Sequence, residues 1–426
     1  MKIHNGVVLN IFLVSIYFFL FHYVYRFQIS PYYDYMGLTY NSNSLIYISF
    51  LFSIFHIFWL PDRIKKPSTL TFWFLYLFLI FPLNQIIFLV SKSSNSFDQV
   101  LFLLYINFLF YFLFLITTKT GYLRLLPAKY KFDLFKYQIP VLTFLFSIGV
   151  FYLGGFKIDI SLDTIYDRRL AARDLKSSFF LVGYFEGLLY GVFLPLLVVY
   201  SVKKKSIINI LVIIFSIVAV FSLKGSKGVV FSPFFLILVY LIVSKGYKFG
   251  KAILSLFILL VSFSLIELFL FDTSLLASIV IRRKLVVPSQ LTVYYWEFFS
   301  NNPFVYMKDG IFGDLLPFDS NYILKRSRLI GAHYFQMDSN ANANIWATAF
   351  ADFGYIGMFI TTIISSYILK ILDRLGKSHF ILSCCSCAYI SVVWSEGALY
   401  TSLLTNGLLF ILLILWIQKI EKKVET

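Results

Sequence analysis

Apolar residues run along this chain in long blocks, broken by short polar or basic stretches. The first block, "GVVLNIFLVSIYFFLFHYVY", meets the roughly 20-residue length a helix needs to cross a bilayer. It opens after Lys2 but lacks a small-x-small cleavage site, and further blocks follow. It therefore reads as a first transmembrane helix rather than a cleaved signal. The whole pattern predicts twelve spans, near 6–27, 45–60, 69–90, 99–118, 137–155, 177–201, 206–222, 228–244, 252–271, 344–366, 379–394 and 402–417.

The connecting stretches orient these spans. With both termini in the cytoplasm, the inner loops are "PDRIKKPS", "KTGYLRLLPAKYKFDLFK", "VKKKS", "KGYKFGK", "KILDRLGKSH" and "QKIEKKVET". Each carries at least two cations. On the other side "QISPYYDYMGLTYNSNS" and "SEGALYTS" carry none, and "SKSSNSFDQ" carries one. Lys and Arg collect in cytoplasmic loops, so the asymmetry sets the orientation.

Composition agrees. The chain is 59% hydrophobic and 14% charged, where soluble domains are about 45–50% apolar and about 25% charged. A soluble fold is excluded, and an all-α polytopic membrane protein is expected, one integral membrane domain over 1–426. The net charge of +16 follows from topology. No nucleic-acid motif interleaves with the cations, so no nucleic-acid partner is expected. Cys384, Cys385 and Cys387 lie in an apolar run without His or acidic neighbours at ligand spacing; they read as small packing residues. The 51 Phe and 30 Tyr read as lipid-facing bulk, not as a cofactor box.

Three predicted outer segments break the charge rule: 156–176, 223–228 and the long loop 272–343. Long loops escape that rule, so their charge needs another cause. A solvated or headgroup-facing surface is the plain reading. An anionic ligand handled outside is the functional one. Within the long loop, "DTSLLASIVIRRKLVV" reads as an amphipathic helix, and Pro288 is placed to start another. Both are expected along the membrane surface, with Tyr294, Tyr295 and Trp296 at headgroup level. Arg offers planar paired donors to phosphate oxygens. A diphosphate esterified to a membrane lipid is the natural ligand for a chain so embedded. Arg282 and Arg283 are its first candidates, then Arg168, Arg169 and Arg173. Arg169 and Arg173 share a helix face, and Asp163, Asp167 and Asp174 are their alternative partners. Lys224 and Lys227 flank glycines that permit close backbone approach to a ligand.

Four stretches carry a family resemblance. "IVIRRKLVVPSQLTVYYWEFFSNNP" resembles a segment of bacterial oligosaccharide repeat-unit polymerases (O-antigen polymerases), where an Arg pair precedes Pro and a Tyr-Tyr…Phe-Phe run ending in Asn-Pro. "NANANIWATAFADFGYIGMF" is similar to that family's Asn-rich approach to a late span. "KGSKG" resembles its Lys-Gly-Ser-Arg-Gly, with Lys227 in place of the Arg, and "YDRRLAARD" is a fourth match. The likeness covers about 150 to 365. It implies an enzyme on the periplasmic face of the bacterial inner membrane, similar in fold to membrane glycosyltransferases with lipid-phosphate donors. Such an enzyme moves a growing glycan from undecaprenyl diphosphate onto the non-reducing end of a new lipid-linked repeat. The expected partners are the undecaprenyl-diphosphate-linked oligosaccharide and membrane lipid, with a chain-length regulator as a candidate protein partner.

The chemistry needs stabilisation of a diphosphate leaving group and positioning of an acceptor hydroxyl. Fixed cations supply the first without a cofactor, and no outer carboxylate cluster reads as a Mg²⁺ site, so metal independence is expected. His333, Asp338, Glu297 and Glu396 are candidate general bases, His333 because His titrates near neutral pH. His333 also reads as a surface histidine, and Asp338 as a helix cap. Asn342 and Asn344 are candidate donors to sugar or phosphate, and Tyr295 a stacking residue. Glu186, inside a span, is expected to partner an outer Arg or a neighbouring helix. Two rival readings are an O-antigen ligase, which moves the finished glycan to another acceptor, and a flippase or transporter, which would show internal repeats and midplane charge.

Overall fold

A computed structural model describes the chain except residues 1–4, 42–44, 93–94, 122, 124–125, 127, 129, 162, 179, 247, 311–312, 318, 338 and 420–426. The described residues are overwhelmingly helical, with an isolated bridge from Phe132 to Gln418 and no strand. Eight helices are long and apolar enough to cross a membrane: α1 (Gly6–Met36), α3 (Ser68–Val90), α4 (Ser96–Lys119), α7 (Val182–Lys204), α8 (Ile207–Lys224), α9 (Lys227–Ser244), α10 (Phe249–Phe271) and α13 (Ile345–Leu375). Four shorter apolar helices, α2 (Ile46–Phe58), α5 (Gln138–Leu153), α14 (Phe380–Glu396) and α16 (Leu408–Ile417), occupy the remaining predicted positions. Between them lie α6 (Ile165–Ser178), α12 (Arg326–Phe335), α15 (Leu399–Leu403) and a long helical segment over 277–301, here α11.

Prolines shape these helices in a repeated way. Wide π-turns at Tyr25–Ile29, Tyr76–Ile80, Leu189–Phe193 and Ala277–Val286 each end two residues before a proline: Pro31, Pro82, Pro195 and Pro288. Proline has no amide to donate back, and its ring crowds the preceding turn. The chain accommodates both by opening that turn, and the helix continues. Pro233 sits inside α9 without such a turn. Pro288 stands in the first turn of the α-helix Val287–Asn301, as the sequence suggested, but that helix is not separate from the turns before it. The π-turns run straight into it, and both belong to α11.

The buried centre is α3, nearly all of whose residues are covered. It packs on α2, α11 and α14, while α13 packs on α4 and α11, α1 on α10, and α5 on α8. Polar side chains bond across these contacts: His56 to Asn107 at 2.6 Å, Asn107 to Asn84 at 3.0 Å, Ser264 to Gln28 at 2.6 Å and Ser147 to Ser216 at 2.7 Å. Each such bond adds roughly 0.6 kcal/mol in a membrane interior.

The two ends of the bundle differ. At one end Asp62 meets Gly250, Ser68 meets Asp373, and Phe132 meets Ile417. This end gathers the lysine-rich turns 61–67 and 203–205 with Lys245 and Lys248, and is called the basic end. At the other end Ser91 meets Glu297, Arg168 meets Phe221, and Lys284 meets Glu396.

α11 corrects a second expectation. Ser289 Oγ lies 3.4 Å from the carbonyl of Leu79, midway along α3, whereas Glu297 reaches Ser91 just past the end of α3. The segment is thus built into the bundle and does not lie along its surface. Tyr294, Tyr295 and Trp296 are buried against protein and are not available to headgroups. Tyr294 stacks on Tyr334 at 4.0 Å, and Trp296 on Phe102 at 4.8 Å.

Candidate functional site

A polar cavity of about 480 Å³ opens at the end opposite the basic one. α11 supplies Tyr295, the start of α12 supplies Lys325, Arg326 and Ser327, and the approach to α13 supplies Asn342 and Ala343. The far wall is Glu396 at the end of α14, Tyr400 of α15, and the turn carrying Thr405 and Asn406.

The wall is organised around Arg326, which is only 5% exposed. Its Nε lies 2.8 and 3.0 Å from the two carboxylate oxygens of Asp309, and Nη2 also donates to Asp309. Nη1 donates to Asp352 at 2.6 Å and to the Thr348 carbonyl at 3.0 Å. The Arg326 amide donates to Asp309 at 2.6 Å, and the Met307 amide to Asp352 at 2.7 Å. Burial works against the guanidinium charge; Asp352, Tyr400 and Asp309 outweigh it and hold the arginine pKa above its ordinary value. Two carboxylates around one cation leave the cluster net negative. It ties three separate segments together and engages Arg326 through Nε, Nη1 and Nη2.

Asp352 stands just before a break in α13. Phe353 (φ −146°, ψ 23°) and Gly354 (φ 59°, ψ −144°) leave helical geometry. A Cβ on Gly354 would stand 2.9 Å from the Phe304 ring. Only glycine combines that backbone with that contact, which gives the "FGYIG" stretch a physical reason.

The predicted site residues separate into distinct places. Tyr295 and Asn342 line the cavity, Tyr295 fully buried with its hydroxyl donating to the Ala341 carbonyl at 3.0 Å. Asn344 does not line it. Its oxygen caps α13, accepting from the Trp346 and Ala347 amides at 2.9 and 3.0 Å, while its amide donates to Thr292 at 2.5 Å. Arg282 lies over the ring of Tyr33 at 4.1 Å, with Nη1 3.7 Å from Met36 Sδ. Arg283 is exposed. Lys284, the next residue, pairs with Glu396 at 2.7 Å and brings this cluster to the edge of the cavity.

Of the cations of the earlier segments, Arg168 and Lys224 are engaged by protein. Arg168 donates to the carbonyls of Asp159, Ser161 and Phe221, and its Nε lies 3.5 Å from the Asp159 carboxylate. Asp159, rather than the acids suggested by the sequence, is its partner. The Ser161 amide and Thr164 hydroxyl, with a contribution from Arg168, hold the Asp159 carboxyl below its ordinary range. Arg169 is exposed on α6, and the Arg173 side chain lies outside the described residues. Lys224 pairs with Glu186, the buried acid of α7, so the partner of Glu186 is a lysine. Lys227 is exposed at the start of α9. Gly225 of the "KGSKG" turn faces Ile165, whose atoms would stand 3.2 Å from a Cβ there, so the turn packs closely on α6.

Among the candidate bases, Glu396 lines the cavity. Glu297 faces the other way, accepting from Ser91 Oγ at 2.5 Å and the Lys92 amide at 2.7 Å. His333 is exposed, edge-on to Phe298 at 5.1 Å, and does not line the cavity. Asp338 lies outside the described residues. Asp309, Lys325, Arg326, Asp352 and Tyr400 were not singled out from sequence. Asp352 had a usable signal, since an ionisable residue inside an apolar span marks a functional position.

Among the described residues no group of three His, Cys, Asp or Glu side chains converges as metal ligands. No protein-family model, curated protein or solved structure matches the chain.

Proposed function

We propose that the chain polymerises lipid-linked oligosaccharide repeats on the periplasmic face of a bacterial inner membrane. The eight long and four shorter apolar helices would make twelve crossings, with both termini and the lysine-rich turns in the cytoplasm. The observation that carries the reading is a convergence. The two longest family-like stretches are bonded to each other, Tyr295 to Ala341 and Asn344 to Thr292, and both face one polar cavity through Tyr295 and Asn342. Chance likeness gives no reason for them to meet there.

In this reading the cavity takes the reacting ends of two lipid-linked glycans. Lys325 and the Lys284–Glu396 pair stand where a diphosphate gains charge as its bond to the anomeric carbon breaks. Glu396 accepts the proton of the acceptor hydroxyl as the new bond to that carbon forms. Asn342, Ser327 and Asn406 offer hydrogen bonds to sugar. Arg326, Asp309 and Asp352 hold the walls in place. The cations make the reaction metal-independent, so activity should survive a chelator.

The test is deletion in the host, with surface and lipid-linked glycans read on a gel. A polymerase leaves acceptor bearing a single repeat. Bare acceptor with long lipid-linked glycan would identify a ligase, and absence of lipid-linked glycan outside would identify a transporter.

A further inference from the structure

At the basic end, away from the polar cavity, a groove of about 420 Å³ opens between α4 and α13. Ile116, Thr120, Leu123, Ile363, Tyr367 and Lys370 line it. Lys370, in the last turns of α13, is only 8% exposed. Its ammonium donates to Thr120 Oγ1 and lies 5.2 Å from the centre of the Tyr367 ring. It forms no ion pair among the described residues. Asp373, one turn on, is held by α3, where the Ser68 amide and hydroxyl each donate to it at 2.8 Å.

A buried cation without a counter-charge is costly, and inside a membrane helix it marks a functional position. Here it stands in a groove whose other walls are mostly apolar. That pairing of chemistries fits an amphiphile with an anionic head and a hydrocarbon tail. Basic pockets between membrane helices take phosphate head groups in this way. We infer that the groove binds an anionic phospholipid, its phosphate against Lys370 and an acyl chain along Ile116 and Ile363. The inference is independent of the proposed reaction. Since α13 carries Lys370 near one end and Asp352 near the other, the lipid braces the helix that frames the cavity.

The experiment uses the full-length protein in a neutral, lipid-free detergent. Thermal unfolding is followed during titration with phosphatidylglycerol, phosphatidylcholine or inorganic phosphate. Phosphatidylglycerol should raise Tm with a saturable midpoint, as a ligand of the folded state does; the other two should not. Lys370→Met should unfold no earlier than wild type without lipid, because it removes a buried charge. Its phosphatidylglycerol midpoint should weaken by about tenfold or more, while Lys370→Arg keeps the response. Ile363→Trp fills the groove, leaves the lysine, and should also lose the response. Equal shifts from phosphatidylcholine, an equal shift from phosphate, or an undiminished response in Lys370→Met would each overturn the inference. If Lys370→Met fails to fold, Ile363→Trp and native mass spectrometry of the wild type decide. Absence of retained phosphatidylglycerol on the wild type would overturn it.

Discussion

The segment 272–343 carries two basic clusters that look alike as strings and are used in opposite ways. In "IRRK", Arg282 rests on an aromatic ring, Arg283 faces outward, and Lys284 makes a half-exposed pair with Glu396. In "LKRSR", Arg326 is sunk between Asp309 and Asp352, while its neighbour Lys325 faces the cavity. The contrast teaches what makes an arginine scaffold rather than site. Burial between carboxylates from distant segments fixes it, and an adjacent residue outside that cage keeps its charge toward the cavity.

The sharpest way to break the contrast is Arg326→Ala. It leaves Asp309 and Asp352 facing each other without a cation in a buried place. Losing one side of a buried ionic cluster costs about 3–5 kcal/mol. Tm in detergent and membrane abundance should both fall well below wild type. A wild-type Tm would show that Arg326 is not scaffold. Next is Gly354→Ala, where a methyl meets Phe304 at 2.9 Å on a backbone that L-residues avoid. Strain of that kind costs about 1–3 kcal/mol, and the same unfolding assay reads it. An unchanged Tm would mean that the kink relaxes and does not position Asp352.

The smallest effects belong to the first cluster. Arg282→Ala removes the stack of a half-buried guanidinium on Tyr33, worth about 0.5–2 kcal/mol. Arg283→Ala should leave Tm within about 0.5 kcal/mol of wild type, as exposed substitutions do. A large loss of stability from Arg283→Ala would erase the distinction between the clusters.

Much of the fold was legible in the sequence because lipid imposes a simple rule on length and apolarity. Eight of the predicted runs fall on helices long and apolar enough to cross a membrane, and four fall on shorter apolar helices. α11 was misjudged because Ser289, Gln290, Thr292 and Glu297 make it too polar for a span. In the structure each finds a protein partner: Ser289 bonds to the Leu285 carbonyl, Gln290 to that of Met36, Thr292 to that of Pro288, and Glu297 to Ser91. Ser289 and Thr292 bond one turn back within the helix, while the partners of Gln290 and Glu297 are distant in sequence, so no local pattern announces them. The site was legible in part for the same reason. Tyr295 and Asn342 could be chosen from short motifs. The cage around Arg326 joins residues 17 and 26 positions away, and nothing local distinguishes Asp309 from a turn residue. Asn344 was chosen as a donor to sugar or phosphate, and capping α13 is what occupies it.

The central claim is that the chemistry happens in the polar cavity and not at the exposed histidine. The most direct measurement compares glycan ladders from cells lacking the chain and supplied with Glu396→Gln, Lys325→Ala or His333→Ala at matched membrane abundance. Loss of a general base slows a reaction by about 10²–10⁴-fold. The expected result is that Glu396→Gln and Lys325→Ala leave acceptor with a single repeat, while His333→Ala restores the full ladder. A full ladder from Glu396→Gln beside a collapsed one from His333→Ala would contradict the account.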